Sequence, residues 1–286
     1  MTLPAYVTDL DQVVAQAVAE DVGTCDWTAR LVPADQRASA RVISREAAVI
    51  CGTAWVNAVF ARIDPSVIVE WDVADGQRVA PDQQLYRLHG AARSLLTGER
   101  TALNFLQSLS GTATAVRQYV DAVAGTGAAI VDTRKTLPGL RNAQKYAVLC
   151  GGGQNHRIGL YDGILIKENH IAAAGGIVNA IAAARALDSG VPLMTEAETL
   201  DEARAALAAD VDLLLVDEFS NADIVEAVRL TRAHRAAGGR TLIEYSGGAT
   251  LATIRQLAET GVDRISIGAI TKHVRAIDLS MRFSAA

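Results

Sequence analysis

Between Asp132 and Ile171 the 286-residue chain has its densest run of residues that could do chemistry. The segment opens with Asp132-Thr133-Arg134-Lys135-Thr136-Leu137-Pro138-Gly139-Leu140-Arg141. It continues through Lys145-Tyr146 and the run Gly151 to Arg157, and closes with Lys167-Glu168-Asn169-His170. From Arg134 to Lys167, six Lys and Arg stand against one acid, Asp162. Neighbouring cations are costly to bury unless they meet anions. Arg grips planar carboxylates with a two-pronged fork, and Lys meets phosphate as a point charge. The pairs Arg134-Lys135 and His156-Arg157 therefore point to a small, multiply anionic ligand.

Carboxylates follow at Glu196 and Asp217. A cation-rich pocket with acids opposite suits an anionic substrate whose reaction passes through a positive centre. Such acids can also hold Mg²⁺, with water and substrate phosphate completing the shell. The pairs Glu196/Glu198 and Asp217/Glu218 lack zinc-ligand spacing, and no His is near them in sequence. Further on, Ser246-Gly247-Gly248 and Gly268-Ala269-Ile270 offer small residues that let backbone N–H groups approach a phosphate. His89, His234 and His273 read as structural. His170 lies close to Lys167 and is equally compatible with a packing role.

The elements that must carry these groups show in the pattern of short apolar runs ending in polar or charged residues. These runs are Ile130-Val131-Asp132, Ile164-Leu165-Ile166-Lys167, Leu193-Met194-Thr195-Glu196, Leu214-Leu215-Val216-Asp217, Leu242-Ile243-Glu244 and Ile265-Ser266-Ile267-Gly268. Ala-rich helical stretches at 177–186, 200–209 and 224–233 fill the gaps, as in repeated βα units. Near-continuous apolar strands alternating with amphipathic helices predict a parallel sheet covered by helices. Chemically loaded residues at nearly every strand end, with no G-x-G-x-x-G after the first strand, favour a barrel with one common mouth. The length available predicts an incomplete barrel of six or seven strands. Ahead of it, a helix over 10–20 and strands at 41–44, 48–50 and 67–71 predict a mixed α/β unit. Two bridging helices are expected over 101–109 and 116–123, the second stopped by Gly125 and Gly127. The Asp75-Gly76 turn looks like the hairpin of lipoyl carriers but has no lysine at its tip, so it reads as structural.

The whole-chain numbers bound the partners. With 27 Lys+Arg against 32 Asp+Glu the net charge is −5, which argues against nucleic acid and anionic membranes. Three scattered cysteines, Cys25, Cys51 and Cys150, fit a reducing compartment rather than a disulfide framework. No secretory signal is visible, and no apolar run reaches the roughly 18 residues of a membrane span. A cytoplasmic location is expected.

The quoted strings, together with Gly98 to Leu106, Ser110 to Thr114, Glu196-Ala197-Glu198, Ser266 to Ala269 and Asp278 to Phe283, resemble quinolinate phosphoribosyltransferases. The resemblance spans essentially the whole chain, and the string Asp132 to Arg141 is highly specific. It implies an N-terminal α/β (α+β) domain over 1–110, with the C-terminal tail 273–286 packed back on it. An incomplete α/β barrel would occupy 111–272. It implies transfer of a phosphoribosyl group from phosphoribosyl pyrophosphate to the nitrogen of quinolinate. Decarboxylation then yields nicotinate mononucleotide, pyrophosphate and CO₂ for NAD synthesis. Carried over by position, Arg134, His156 and Arg157 hold the quinolinate carboxylates. Arg100 reaches into the neighbouring subunit's site in a homodimer or higher even oligomer. Lys135, Thr136 and Lys167 contact the donor or substrate, and Glu196 and Asp217 meet the ribose hydroxyls and Mg²⁺. The turns Ser246-Gly247-Gly248 and Gly268-Ala269 take the 5′-phosphate. Lys135, Glu196 and Asp217 are the expected catalytic residues, with Mg²⁺ and no tightly bound organic cofactor. Glu218 stands where many relatives have Asn after the strand-end Asp. The alternatives are a molybdenum-transport-associated paralogue of the same fold and a Schiff-base aldolase using Lys135 or Lys167. A non-catalytic phosphosugar-binding protein is the third.

Overall fold

The computed structural model describes residues 1–284, and residues 285 and 286 of the expected tail lie outside the described residues. The chain begins with α1 (Leu10–Val22), β1 (Arg37–Ser44), β2 (Ala48–Val49), α2 (Thr53–Ile63), β3 (Ile68–Trp71), β4 (Arg78–Val79) and β5 (Gln84–Ala91). The long helix α3 (Ala92–Ala122), strand β6 (Ala129–Val131) and helix α4 (Arg141–Cys150) follow. Next come β7 (Ile164–Ile166), α5 (Glu168–Ala174), α6 (Ile177–Ala186), β8 (Leu193–Ala197), α7 (Leu200–Ala208) and β9 (Leu213–Asp217). The remaining elements are α8 (Asn221–Ala236), β10 (Leu242–Ser246), α9 (Ile254–Glu259), β11 (Arg264–Ser266), α10 (Ala269–Lys272) and β12 (Leu279–Ser284).

These elements form two compact units. One combines Met1–Arg117, Thr136–Gly152 and the stretch from Ile270, and the other combines Gln118–Lys135 and Gly153–Ala269. The boundary expected at residue 110 falls inside α3, and α4 groups with the first unit.

In the first unit an antiparallel sheet runs in the order β12-β1-β5-β3. The C-terminal strand pairs with β1, Ser44 opposite Leu279 and Val42 opposite Met281. Trp55 and Phe60 of α2, Leu95 and Leu106 of α3 and Leu88 of β5 are fully buried in its core. The N-terminus of α2 is capped from a distance: Asp75 Oδ1 accepts the Gly52 and Thr53 N–H groups, and its Oδ2 accepts the Tyr146 hydroxyl. The Asp75-Gly76 hairpin is thus structural, and its carboxylate satisfies donors that a helix start leaves open.

The two bridging helices expected from the sequence are one helix, α3, of 31 residues. Gly111 does not break it. A Cβ there would lie 2.1 Å from the Arg275 carbonyl oxygen, so the glycine serves the close passage of the 275–276 backbone. The helix ends ahead of Gly125 and Gly127, both at positive φ.

The second unit holds six parallel strands in the order β6-β11-β10-β9-β8-β7. The first strand of this unit pairs with the last, while β6 and β7 are not hydrogen-bonded, so the barrel is open at that seam. A single parallel bridge, Val131 to Gln154, extends β6 on its open side. Alternation selects the inward face: Leu165, Met194, Leu213 and Leu215 form a small apolar cluster. The outward residues Leu214, Val216, Ile243 and Ile265 are buried too, as a helix-covered parallel sheet requires. Thr199 caps α7 and Ser220 caps α8. The strand at 242–244 runs on to Ser246.

Candidate active site

At the C-terminal ends of the barrel strands lies a cavity of about 160 Å³ within the second unit. Arg134, Lys135, His156, Arg157, Lys167 and Glu196 line it, and Ser246 closes one side. Seven residues singled out from the sequence, spread over more than a hundred positions, therefore share one wall.

Several are held by identifiable neighbours. Asp132, fully buried at the end of β6, accepts the His156 backbone N–H at 2.8 Å and the Asn155 side-chain amide at 2.7 Å. This carboxylate anchors the loop that carries Arg157. The Arg157 guanidinium donates to the Gly163 carbonyl at 2.8 Å, and Asp162 accepts the N–H groups of Ile158 and Gly159. The one acid of the basic segment thus shapes its loop. Burial and then the charge of Arg134 push the Arg157 guanidinium below its ordinary value, while Asp162 opposes them. Two cations pressed together in this way call for an anion. Arg134 carries a buried Nε–H with no hydrogen-bond acceptor among the described residues.

The Lys167 ammonium reaches both oxygens of Glu196, at 2.9 and 3.0 Å. Burial raises the Glu196 carboxyl, the Lys167 pair pulls it back, and the charge of Asp217 raises it further. Asp217 ends β9 in register with Ser246. The Lys167 backbone N–H donates to His170 Nδ1 at 3.0 Å, so His170 fixes the start of α5 and the strand end that bears Lys167. Lys135 is exposed, and a Cβ at Gly268 would come within 2.9 Å of its Cδ. Gly247 and Gly248 directly follow β10, and Ala269 opens α10 shortly after β11.

Two expected site residues belong to the first unit. Arg100 is exposed on α3, and the Thr136 hydroxyl accepts from Arg141 Nε at 3.2 Å. A larger groove of about 380 Å³ in that unit is lined by Glu20, Asp21, Thr101, Asn104, Phe105 and Pro138, among others, and by no cationic side chain.

Glu244 and Arg264 also belong to the site, although neither stands out by type or spacing in the sequence. Glu244 is fully buried, lines the cavity, and has Oε2 3.2 Å from Arg264 Nε and Oε1 3.7 Å from His156 Nε2. An available signal was position: Glu244 sits two residues before Ser246, hence on the same strand face. A Schiff-base nucleophile calls for a desolvated lysine, whereas the Lys167 ammonium is ion-paired with Glu196 and Lys135 is exposed.

Residues 26–110 match the family described as quinolinate phosphoribosyl transferase, N-terminal domain, and residues 112–282 match its C-terminal domain. A probable nicotinate-nucleotide pyrophosphorylase (carboxylating) of Synechocystis is 40% identical over 98% of this chain and 94% of its own length. The chloroplastic nicotinate-nucleotide pyrophosphorylase (carboxylating) of rice is also 40% identical, over 98% of this chain and 79% of its own. Among solved structures, the nicotinate-nucleotide pyrophosphorylase of Francisella tularensis superposes with a TM-score of 0.93 at 43% identity, covering 99% of this chain and 98% of that one.

Proposed function

The chain belongs to the quinolinate phosphoribosyltransferase family, and from that premise we propose how its residues divide the work of a carboxylating nicotinate-nucleotide pyrophosphorylase. The reaction couples quinolinate to phosphoribosyl pyrophosphate with loss of pyrophosphate and CO₂, and it serves NAD synthesis. The observation that carries the assignment is the convergence of Arg134, Arg157, Lys135 and Lys167 with Glu196 on one cavity.

Arg134 and Arg157, with His156 beside them, hold the two carboxylates of quinolinate. The buried, unengaged Nε–H of Arg134 supports this role. Fixed in place, the pyridine nitrogen faces the anomeric carbon of the donor, which lowers the entropic part of the barrier. As the bond to pyrophosphate breaks, the ribose becomes oxocarbenium-like. Glu196 and Asp217 then stabilise charge that is present only in the transition state. Lys135 and Lys167 stabilise the departing pyrophosphate. The alkylated ring is cationic, so it accepts the electrons that the 2-carboxylate leaves behind as CO₂ departs. No covalent enzyme intermediate is needed.

Two carboxylates on adjacent parallel strands are a fitting donor set for Mg²⁺, which prefers a few protein oxygens and completes its shell with water and phosphate. When bound, the metal would neutralise pyrophosphate charge, held by Asp217 and Glu196. The turns Ser246-Gly247-Gly248 and Gly268-Ala269 take the 5′-phosphate on backbone N–H groups. Arg100 completes the site of a second copy in a homodimer, a reading supported by its exposure on α3. Cytoplasmic residence belongs to the same proposal, supported by three free thiols. Among the described residues, no helix is long and apolar enough to cross a membrane.

The test is an assay of nicotinate mononucleotide and CO₂ from quinolinate and phosphoribosyl pyrophosphate, with and without Mg²⁺. Formation of both products in equal amounts, dependent on Mg²⁺, is expected. Absence of CO₂ release would sink the substrate assignment.

A further inference from the structure

We propose that Glu244 couples entry of the dianionic pyridine substrate to the uptake of one proton, so that the cavity receives that anion with Glu244 neutral. The inference rests on the substrate reading above and adds a residue and a pH dependence to it.

The geometry is unusual for a carboxylate. Glu244 is 0% exposed, and among the described residues no donor meets either oxygen in well-formed hydrogen-bond geometry, although the Arg264 guanidinium and the Ser266 hydroxyl are close. Buried carboxylates ordinarily collect several well-aligned donors, and one with so few is poorly supported in its charged form. Its nearest basic side chains are Arg264, with Nε at 3.2 Å, and His156, with Nε2 at 3.7 Å. His156 Nδ1 accepts the Arg157 N–H at 2.8 Å, so in the neutral ring the proton resides on Nε2, the side turned to Glu244.

The surroundings set the direction. Burial pushes the Glu244 carboxyl up to about 7, the Asp132 charge adds to this, and Arg264 and the Ser266 hydroxyl oppose it. Arg264 and Ser266 lie on β11, Asp132 at the end of β6, and His156 and Arg157 on the loop after α4. Lys167 at the end of β7 and Glu196 on β8 line the same cavity. A ligand bringing two carboxylates into this cavity adds negative charge beside a group already on the edge of protonation. In a poorly screened interior that shifts Glu244 to its acid form. The balance is simple: the carboxylate takes one proton from solvent on binding and returns it when the anion leaves.

The sign follows by linkage. Below pH 7 Glu244 is already neutral, and binding needs no proton. Above pH 7 each bound anion takes up a proton, and affinity weakens by about tenfold per pH unit.

Quinolinate is titrated calorimetrically into the full-length enzyme at pH 5.5, 7 and 8.5, in two buffers of different ionisation heat at each pH. The titration is repeated on enzyme saturated with ribose 5-phosphate and pyrophosphate. Uptake approaching one proton per site at pH 8.5 and near zero at pH 5.5 is expected. In Glu244→Gln the uptake disappears and affinity stays flat across the range. Binding by the wild type with no buffer-dependent heat overturns the inference, as does uptake that persists in Glu244→Gln, which assigns the proton to His156. If that variant does not fold, the wild-type proton count alone decides. Failure of quinolinate to bind either form of the wild type overturns the substrate reading and the inference together, a result distinct from binding without proton uptake.

Discussion

Lys167 Nζ stands 2.9 Å from one oxygen of Glu196 and 3.0 Å from the other, a forked ion pair between neighbouring parallel strand ends. In the proposed reaction the pair joins two groups with separate tasks, the cation at pyrophosphate and the carboxylate at the ribose, so that ligand binding would redistribute this contact. With Lys167 removed, Glu196 is a buried carboxylate without its cation and shifts further toward the neutral acid.

Lys167→Ala and Glu196→Ala are each expected to lower kcat by about a hundredfold or more. The double variant should be little worse than either single one, because the two act as a unit. Steady-state product formation by the three variants measures this, and fully multiplicative losses would show that the pair is not shared.

Arg134 and Arg157 meet planar carboxylates in the proposed complex, and an ammonium cannot reproduce a two-pronged contact. Arg134→Lys and Arg157→Lys are expected to raise KM for quinolinate about tenfold or more, with a smaller change in KM for the phosphoribosyl donor. Equal changes in the two constants would count against the assignment.

The proposed sharing of Arg100 between subunits has a numerical signature. Arg100→Ala and Arg157→Ala should each be nearly inactive alone. Unfolded and refolded together, they form mixed dimers with one intact site each, and about a quarter of wild-type activity returns. No recovery in a mixture proven to contain mixed dimers would rule sharing out.

Gly111 passes so close to the Arg275 carbonyl that any side chain must displace backbone. Gly111→Ala is expected to cost about 3 kcal/mol and to lower the melting temperature by several degrees. A melt recorded by circular dichroism decides it, and an unchanged midpoint would mean that α3 and the 275–276 segment separate freely.

Glu218 adopts φ +50, the left-handed region that Asn and Gly enter more easily than Glu. This gives a backbone reason for the Asn that many relatives have at that position. Glu218→Gly should stabilise the protein by about 0.5–1 kcal/mol, read as a higher denaturation midpoint at an unchanged slope.

Much of this was legible along the chain because a parallel barrel writes its site into strand ends. Apolar runs closed by Asp132, Lys167, Glu196 and Asp217 mark both the sheet and the mouth, and the six strands stand where those runs are. The two bridging helices expected over 101–109 and 116–123 are continuous in α3, and the Gly111 between them answers to a backbone 164 residues further on rather than to a helix end. His170 and Asp75 likewise looked neutral, since a cap or a brace is defined by the donor it meets and not by its own type.

The residue types that grip anions, their place at strand ends and the family were determined by the sequence itself, because side-chain chemistry and strand periodicity are local properties. The tertiary structure alone decided which of these groups share one cavity. It alone turned Nε2 of His156 toward Glu244, and it alone left the Glu244 carboxylate buried beside Arg264 without a well-formed hydrogen bond. Burial and missing donors are set by strands that come together only when the barrel forms, and a protonation state follows from them rather than from the letter Glu.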